Sequence, residues 1–195
     1  KLRPDLRICV IERGKEWIPG TFPDRTVDVF SDARNVLAGP GRGQLNKPLG
    51  LYNVMMNDEV NILTGNGLGG GSLINASIAL RPNHEVFEQK EWPKAIRDVR
   101  VLDAYYKMVA RQMSLTQTPF DKTPKVRTRR MAAERISPEH DFYDRSNVSV
   151  MYDHRYLDDQ MRNPQGMIQR PCTLCGDCIT GCNIGAKNTL LMNYL

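Results

Sequence analysis

Four cysteines fall within eleven residues: Cys172, Cys175, Cys178 and Cys182. Their spacing, C-x2-C-x2-C-x3-C, is the run by which bacterial ferredoxins hold [4Fe–4S] clusters. Three thiolates at two-residue gaps can wrap one face of a cubane, and Gly176 and Gly181 allow the tight path. Such density suits a metal or cluster better than a disulfide framework spread along a chain. In two-cluster ferredoxins the fourth cysteine serves the other cluster and a proline follows it. Here Asn183 follows Cys182, and there is no second cysteine set. Cys182 must bend back to the same centre, or a fourth ligand comes from elsewhere. A tetrahedral zinc site and two disulfides stay open as alternatives, although compact spacing disfavours zinc. The remaining cysteine, Cys9, sits among apolar residues and is expected to be a buried, inert thiol.

A second cluster of residues could meet a ligand through the main chain. Gly65, Gly67, Gly69, Gly70 and Gly71 pack five glycines into seven residues, followed by Ser72 and Asn75. Glycine permits positive φ and lets a ligand approach bare backbone. Successive N–H groups in such a turn form a concave anion site, and a following helix would add its N-terminal dipole. A P-loop is excluded, because no Lys-Ser or Lys-Thr pair follows the glycines. From glycine content alone, a tight turn between a strand and a helix is an equally good reading. A third candidate is Glu12, at the end of a β-branched run. In dinucleotide-binding folds an acidic residue there accepts both ribose hydroxyl hydrogens. The glycine fingerprint should lie about 20 residues earlier, but only eleven residues precede Glu12.

These residues need elements to position them. Residues 7–11 are apolar and β-branched, and read as a buried parallel strand. Residues 17–50 are rich in Gly, Pro, Asp and Asn and read as a long loop with short elements. Residues 51–56 and 60–63 read as two strands joined by a turn at Asn57, Asp58 and Glu59. Residues 72–80 read as a helix or extended turn. A helix is expected from Trp92-Pro93 to about Met113. Val101, Leu102, Tyr105, Met108, Val109 and Gln112 would form its core-facing stripe. Residues 114–170 are ambiguous, with a possible short strand at 148–152, and residues 188–195 resemble the start of a helix.

Residues 65–88 resemble the first signature of the glucose-methanol-choline (GMC) oxidoreductases. The likeness runs through Gly65, Leu68, Gly69, Gly70, Gly71, Ser72, Ile74, Asn75, Ala79, Pro82 and Glu88. Within the family it is most similar to the cholesterol-oxidase-like branch. It covers most of residues 5–113, is faint in 114–170 and returns at 183–195. The resemblance implies an α/β, FAD-binding Rossmann-like fold, incomplete here, with helical and loop-rich insertions. It implies FAD as cofactor, with Glu12 on the adenosine ribose. Residues 69–72 would run along the pyrophosphate and flavin, and Asn75 beside the isoalloxazine ring. Residues 1–92 would be part of the FAD-binding domain. Residues 93–165 would be a helical and irregular region of a substrate-side domain. Residues 166–195 would carry the ferredoxin-like motif and return to the FAD-binding domain. The implied reaction is alcohol oxidation, with a small-molecule alcohol or sterol-type substrate and an electron acceptor protein or quinone. The family's catalytic histidine lies near the end of a much longer chain. None of His84, His140 and His154 sits in a matching motif, so no catalytic residue is assigned here. The chain begins at Lys1 rather than Met, and it is expected to be an internal piece that does not oxidise alcohols alone.

The composition of the 195 residues agrees with a folded protein: 41% are hydrophobic and 25% charged. No apolar run is long enough to cross a bilayer, and no basic-then-apolar leader opens the chain. The net charge is +5, and the densest basic stretch holds Lys122, Lys125, Arg127, Arg129 and Arg130. It reads as a solvated loop. No aromatic residue interleaves it, which argues against single-stranded nucleic acid. Two readings of other classes remain open: a ferredoxin-like electron-transfer module and a non-catalytic nucleotide-binding remnant.

Overall fold

The computed structural model describes residues 5–37, 44–119, 123–137, 145–153, 158 and 161–195. A four-stranded sheet holds β1 (Ala33–Leu37), β2 (Gln44–Asn46), β3 (Tyr52–Met56) and β4 (Ile62–Gly65), in the order β2-β1-β3-β4. β1 runs parallel to β3, with Ala33 opposite Tyr52, and antiparallel to β2. β3 and β4 form an antiparallel hairpin with Tyr52 opposite Gly65. Its turn is closed by Asn57, whose N–H donates to Asn61 Oδ1 and whose Nδ2 donates to the Val60 carbonyl. The hairpin lies where the sequence predicts it, starting one residue later and ending two residues later. The described region is a mixed α/β assembly, and β1 and β3 are its parallel pair.

Burial concentrates at the end of the sheet where β3 begins. Leu51 and Tyr52 are buried there with Trp17, Phe22 and Leu73. Trp17 and Phe22 stack with centroids 5.5 Å apart. A second small core joins Val148, Val150 and Ala186, with Tyr152, Cys172, Cys182 and Ile184 packed against it. It is built around β5 (Thr116–Gln117) and β6 (Asn147–Val148), which pair antiparallel, and the bridge from Val150 to Lys187. The site lies between these two cores.

Several expectations are corrected. Residues 7–11 form no strand, and Ile8, Val10 and Ile11 are 63–91% exposed. A buried parallel strand needs paired neighbours and a covering layer, and no described strand lies beside this run. Cys9 is accordingly exposed rather than buried. The long loop at 17–50 contains α1 (Thr26–Ser31) as well as β1 and β2. The expected helix from residue 92 is broken at Asp98, whose ψ of 99° is extended. The pieces are α3 (Lys94–Arg97), a 3-10 turn at Val99–Leu102 and α4 (Asp103–Gln112). The Asp98 carboxylate accepts the Arg100 N–H and grips the Arg100 guanidinium, which favours ending one helix and starting the next. The end near Met113 is where the pattern predicts it. Val101, Tyr105, Met108 and Val109 do not pack in a core; they are 45–59% exposed.

α2 (His84–Glu88) precedes that run, and α5 (Pro124–Ile136) follows it. Lys125, Arg127, Arg129 and Arg130 of the basic stretch lie in α5, so they are helical and not in a loop, though solvated as expected, with no buried residue. Pro124 stands in its first turn, where proline is tolerated. Lys122, His140 and His154 lie outside the described residues. The final segment makes a 3-10 turn at Leu190–Met192 in place of a longer helix. Among the described residues, no helix is long and apolar enough to cross a membrane.

Leu51 is fully buried between the sheet and the Trp17 ring. Leu51→Ala should lower the stability of the full-length protein by about 2–5 kcal/mol. Urea unfolding checks this; a loss below about 1 kcal/mol would show that the cluster is not a core.

Candidate functional site

β4 ends at Gly65, and the chain leaves it through a left-handed path. Gly67, Gly69 and Gly70 have φ of 145°, 106° and 53°. A 3-10 turn at Gly70–Leu73 follows. The glycines differ in what a side chain would meet. A Cβ on Gly65 would lie 2.3 Å from the Gly70 carbonyl oxygen, because the loop folds back over the strand end. A Cβ on Gly67 would lie 2.4 Å from the Trp17 ring. On Gly69 it would touch Leu73 and Ser72 at 3.3 Å. Gly70 and Gly71 face open space, with no atom within 4 Å of an added Cβ.

The segment after Glu12 crosses this loop. A Cβ on Gly14 would sit 2.4 Å from the Gly67 nitrogen, so two bare backbones touch. The Leu68 N–H donates to the Lys15 carbonyl at 3.0 Å, and Trp17 Nε1 to the Asn66 carbonyl at 2.9 Å. Arg13 donates to Asn66 Oδ1 at 3.1 Å. Glu12 is thereby brought beside the glycine loop even though no strand carries it. Its carboxylate is exposed and accepts the Gly14 N–H at 2.6 Å. Asn66 was not singled out from sequence. It is buried, and its Nδ2 donates to the Gly50 carbonyl at 2.8 Å, fixing the loop to the start of β3. An asparagine beside glycines reads as turn chemistry, so nothing in the pattern marks it.

Ser72 is held from two sides: its hydroxyl donates to the Gly69 carbonyl at 2.6 Å and accepts the Leu190 N–H at 3.0 Å. Asn75 is exposed, and its Oδ1 accepts the Ser77 N–H at 3.0 Å. The open face is therefore backbone at Gly70 and Gly71, with Asn75 just beyond the turn and the Glu12 segment crossing the loop at Gly67. Such a surface admits a flat or anionic ligand against the main chain.

The cysteine segment packs behind the same loop. Lys187 is 1% exposed, and its ammonium donates to the carbonyls of Leu73 at 3.0 Å, Asn75 at 2.6 Å and Cys178 at 2.8 Å. Burial pulls Lys187 down to about 8, and the nearby Cys178 and Cys182 sulfurs oppose that drop. The three carbonyl acceptors also favour the charged form. Asn183, which stands where ferredoxins have proline, is a clamp. Its Oδ1 accepts the Gly20 and Phe22 N–H groups, and its Nδ2 donates to the Phe22 carbonyl. Neither Lys187 nor Asn183 carries a sequence signal of burial, since both types are mostly exposed.

All five cysteines are free thiols. Cys172 Sγ accepts the Leu174 N–H and Cys182 Sγ the Ala186 N–H, each at 3.3 Å. Ser77 Oγ is buried against Cys178 without forming a full hydrogen bond. Burial pushes the Cys172 thiol up against the help of the Leu174 N–H, and pushes the Cys178 thiol up against the Lys187 charge. Leu174, Gly176 and Gly181 all have positive φ, as a tight winding path requires. Among the described residues, no three His, Cys, Asp or Glu side chains lie close enough together to hold a metal ion. The donor chemistry suits a soft metal or cluster, but the four thiols do not converge here. His84 is exposed on α2, 3.8 Å from Glu88.

Residues 29–152 match the family model of the GMC oxidoreductases. The chain is 26% identical over 194 residues to a cholesterol oxidase of Acinetobacter baumannii, covering 96% of this chain and 33% of that protein. It is 28% identical over 201 residues to a cholesterol oxidase of Mycobacterium tuberculosis strain H37Rv, covering 97% and 32%. The chain spans about a third of the length of these relatives. The family match contains the glycine loop; the alignments with the relatives extend past both of its ends.

Thiol exposure gives an ordered reactivity. Cys175 is exposed, whereas burial raises Cys172 and Cys178 and lowers their thiolate fraction. Iodoacetamide at neutral pH should alkylate Cys175 in the metal-free protein well before Cys172 and Cys178. Raising the pH beyond the usual thiol range should narrow the gap, because the thiolate is the nucleophile. Peptide mass mapping over time checks this, and equal rates at neutral pH would contradict the described burial.

Proposed function

The chain belongs to the GMC oxidoreductase family, and on that premise we propose that it forms part of the flavin bed of an FAD-dependent oxidoreductase acting on CH–OH groups, with an alcohol or sterol as substrate. One observation carries this reading. Gly70 and Gly71 leave a bare-backbone cradle that a Cβ would fill, while Gly14, Gly65 and Gly67 are occupied by the chain's own packing. Glu12, two residues before the crossing of Gly14 over Gly67, would accept ribose hydroxyls. The backbone of residues 69–72 would lie along the pyrophosphate and flavin, and Asn75 beside the ring. When bound, FAD supplies the acceptor for the two electrons of alcohol oxidation. The residues of this chain bind and orient; the catalytic base is assigned to none of them. On this reading residues 1–92 belong to the FAD-binding domain, 93–165 to a substrate-side region, and 166–195 return to the FAD-binding domain.

Gly71 gives the cleaner test, because Gly70 has a left-handed φ that would strain any side chain. In the full-length protein, Gly71→Val should lose bound FAD while the FAD-free forms of variant and wild type unfold at the same temperature. Retained flavin absorbance in a folded Gly71→Val protein would overturn the reading.

We further propose that Cys172, Cys175, Cys178 and Cys182 hold a [4Fe–4S] cluster in the complete protein, with a carrier protein or quinone as the electron acceptor. The reading is supported by the spacing, by four free thiols on one segment, and by N–H groups already directed at two of the sulfurs. Because the thiols do not converge here, the loop must close around the cluster. Anaerobic purification should give iron and acid-labile sulfide in near-equal amounts, and Cys175→Ser should lose both while keeping FAD. Bound zinc, or four thiols with no metal, would overturn the cluster and favour the zinc or metal-free alternatives.

A further inference from the structure

Lys187 lies outside both groups of residues assigned above, yet its ammonium touches both segments. Two of its three acceptors, the Leu73 and Asn75 carbonyls, belong to the turn that ends the glycine cradle. The third, the Cys178 carbonyl, belongs to the cysteine loop. An ammonium has three N–H donors and no more, so all three are engaged. Ser72, in the same turn, is also held by the Leu190 N–H, three residues after Lys187. The backbone on either side of Lys187 is tied to the second core through the bridge to Val150 and the Asn188 N–H bond to the Ser149 carbonyl.

We propose that Lys187 is a positioning residue that couples the cysteine loop to the flavin bed, so that a change at Cys178 is transmitted to the turn carrying Gly70, Gly71 and Asn75. This rests on the flavin reading of that turn. The physical basis is the cost of a vacancy. If Cys178 shifts its carbonyl, a buried N–H loses its acceptor, and the ammonium must tilt or draw the Leu73 and Asn75 carbonyls with it. Loss of the Ser77 and Cys178 contact would act in the same direction, because it too joins the segment after the turn to the cysteine loop. Packing alone would couple the segments without a need for charge; three charge-assisted bonds make the coupling specific to this side chain.

The test uses the full-length protein, freed of metal with a chelator, with and without FAD. Methyl methanethiosulfonate caps the thiols as mixed disulfides, each thiolate displacing methanesulfinate. Hydrogen exchange is then followed over residues 70–78. In the wild type, capping should speed exchange in this segment several-fold and speed FAD release. In Cys178→Ser the response should disappear. In Lys187→Met, exchange should already be fast, FAD binding about tenfold weaker, and capping should add nothing. An unchanged exchange rate in the capped wild type overturns the proposal, as does an equal response in Lys187→Met. If Lys187→Met does not fold, Lys187→Gln replaces it, and the wild-type measurement alone still decides. A wild type that retains no FAD but shows the exchange response would sink the flavin reading and leave the coupling; FAD retained with no response does the reverse.

Discussion

Burying an ammonium group costs several kcal/mol unless its donors are matched, and Lys187 meets that condition through backbone alone. Its three acceptors come from positions 73 and 75 on one side and 178 on the other, more than a hundred residues further along the chain. Three carbonyls aimed at one point fix the orientation of three peptide planes. That ties the end of the turn after Gly71 to the 3-10 turn at Asp177–Thr180 that holds Cys178. No disulfide joins these segments. Removing the ammonium would leave three carbonyls facing each other without their shared donor, so one side chain sets the separation of the two segments at this point.

The second half of the structure shows why such polar fixtures are needed. Residues 161–195 contain two 3-10 turns and little regular pairing. Irregular backbone leaves N–H and C=O groups that helices and ladders would satisfy, and buried ones need partners. Side-chain amides supply them. Asn163 Nδ2 donates to Gln169 Oε1 and the Met192 carbonyl, while its Oδ1 accepts from Gln165 and Met167. Gln169 Nε2 bonds the Ala186 carbonyl and Asn188 Oδ1. Buried polar residues there outnumber the apolar ones because they stand in for secondary structure, and the same reason places Asn183 after Cys182 in contact with residues 20–22.

This difference explains what the sequence allowed. The β3–β4 hairpin was legible because alternation and a turn of Asn and Asp are local signals. The glycine loop was legible as a tight turn because close glycines permit the positive φ found at Gly67, Gly69 and Gly70. Residues 7–11 misled because an apolar β-branched run states only that burial is favourable; a strand forms when neighbours exist to pair with it. The helix from residue 92 misled because the break depends on the Asp98 carboxylate competing for the next turn's N–H, while the apolar spacing continues through it. Helix α5 was taken for a loop because its apolar periodicity is weak. Lys187, Asn66 and Asn183 were invisible because their roles lie in contacts across the chain, and lysine and asparagine are ordinarily surface residues.

The glycines of the site separate folding from binding. Gly14, Gly65 and Gly67 are required by the chain itself: a Cβ on any of them would lie within 2.4 Å of backbone or of the Trp17 ring. The approach of Gly14 to Gly67 lets the residues after Glu12 cross the loop, and that of Gly65 to Gly70 folds the loop back over the strand end. Gly71 has no such internal reason, for nothing in the described structure lies where its side chain would be. Gly70 has a conformational reason, its left-handed φ, but the space before it is equally open. Glycine carries a conformational entropy cost on folding relative to alanine. At Gly71 no contact among the described residues and no left-handed backbone offsets that cost. The proposed ligand, lying flat against the peptide planes of residues 70 and 71, would supply such an offset.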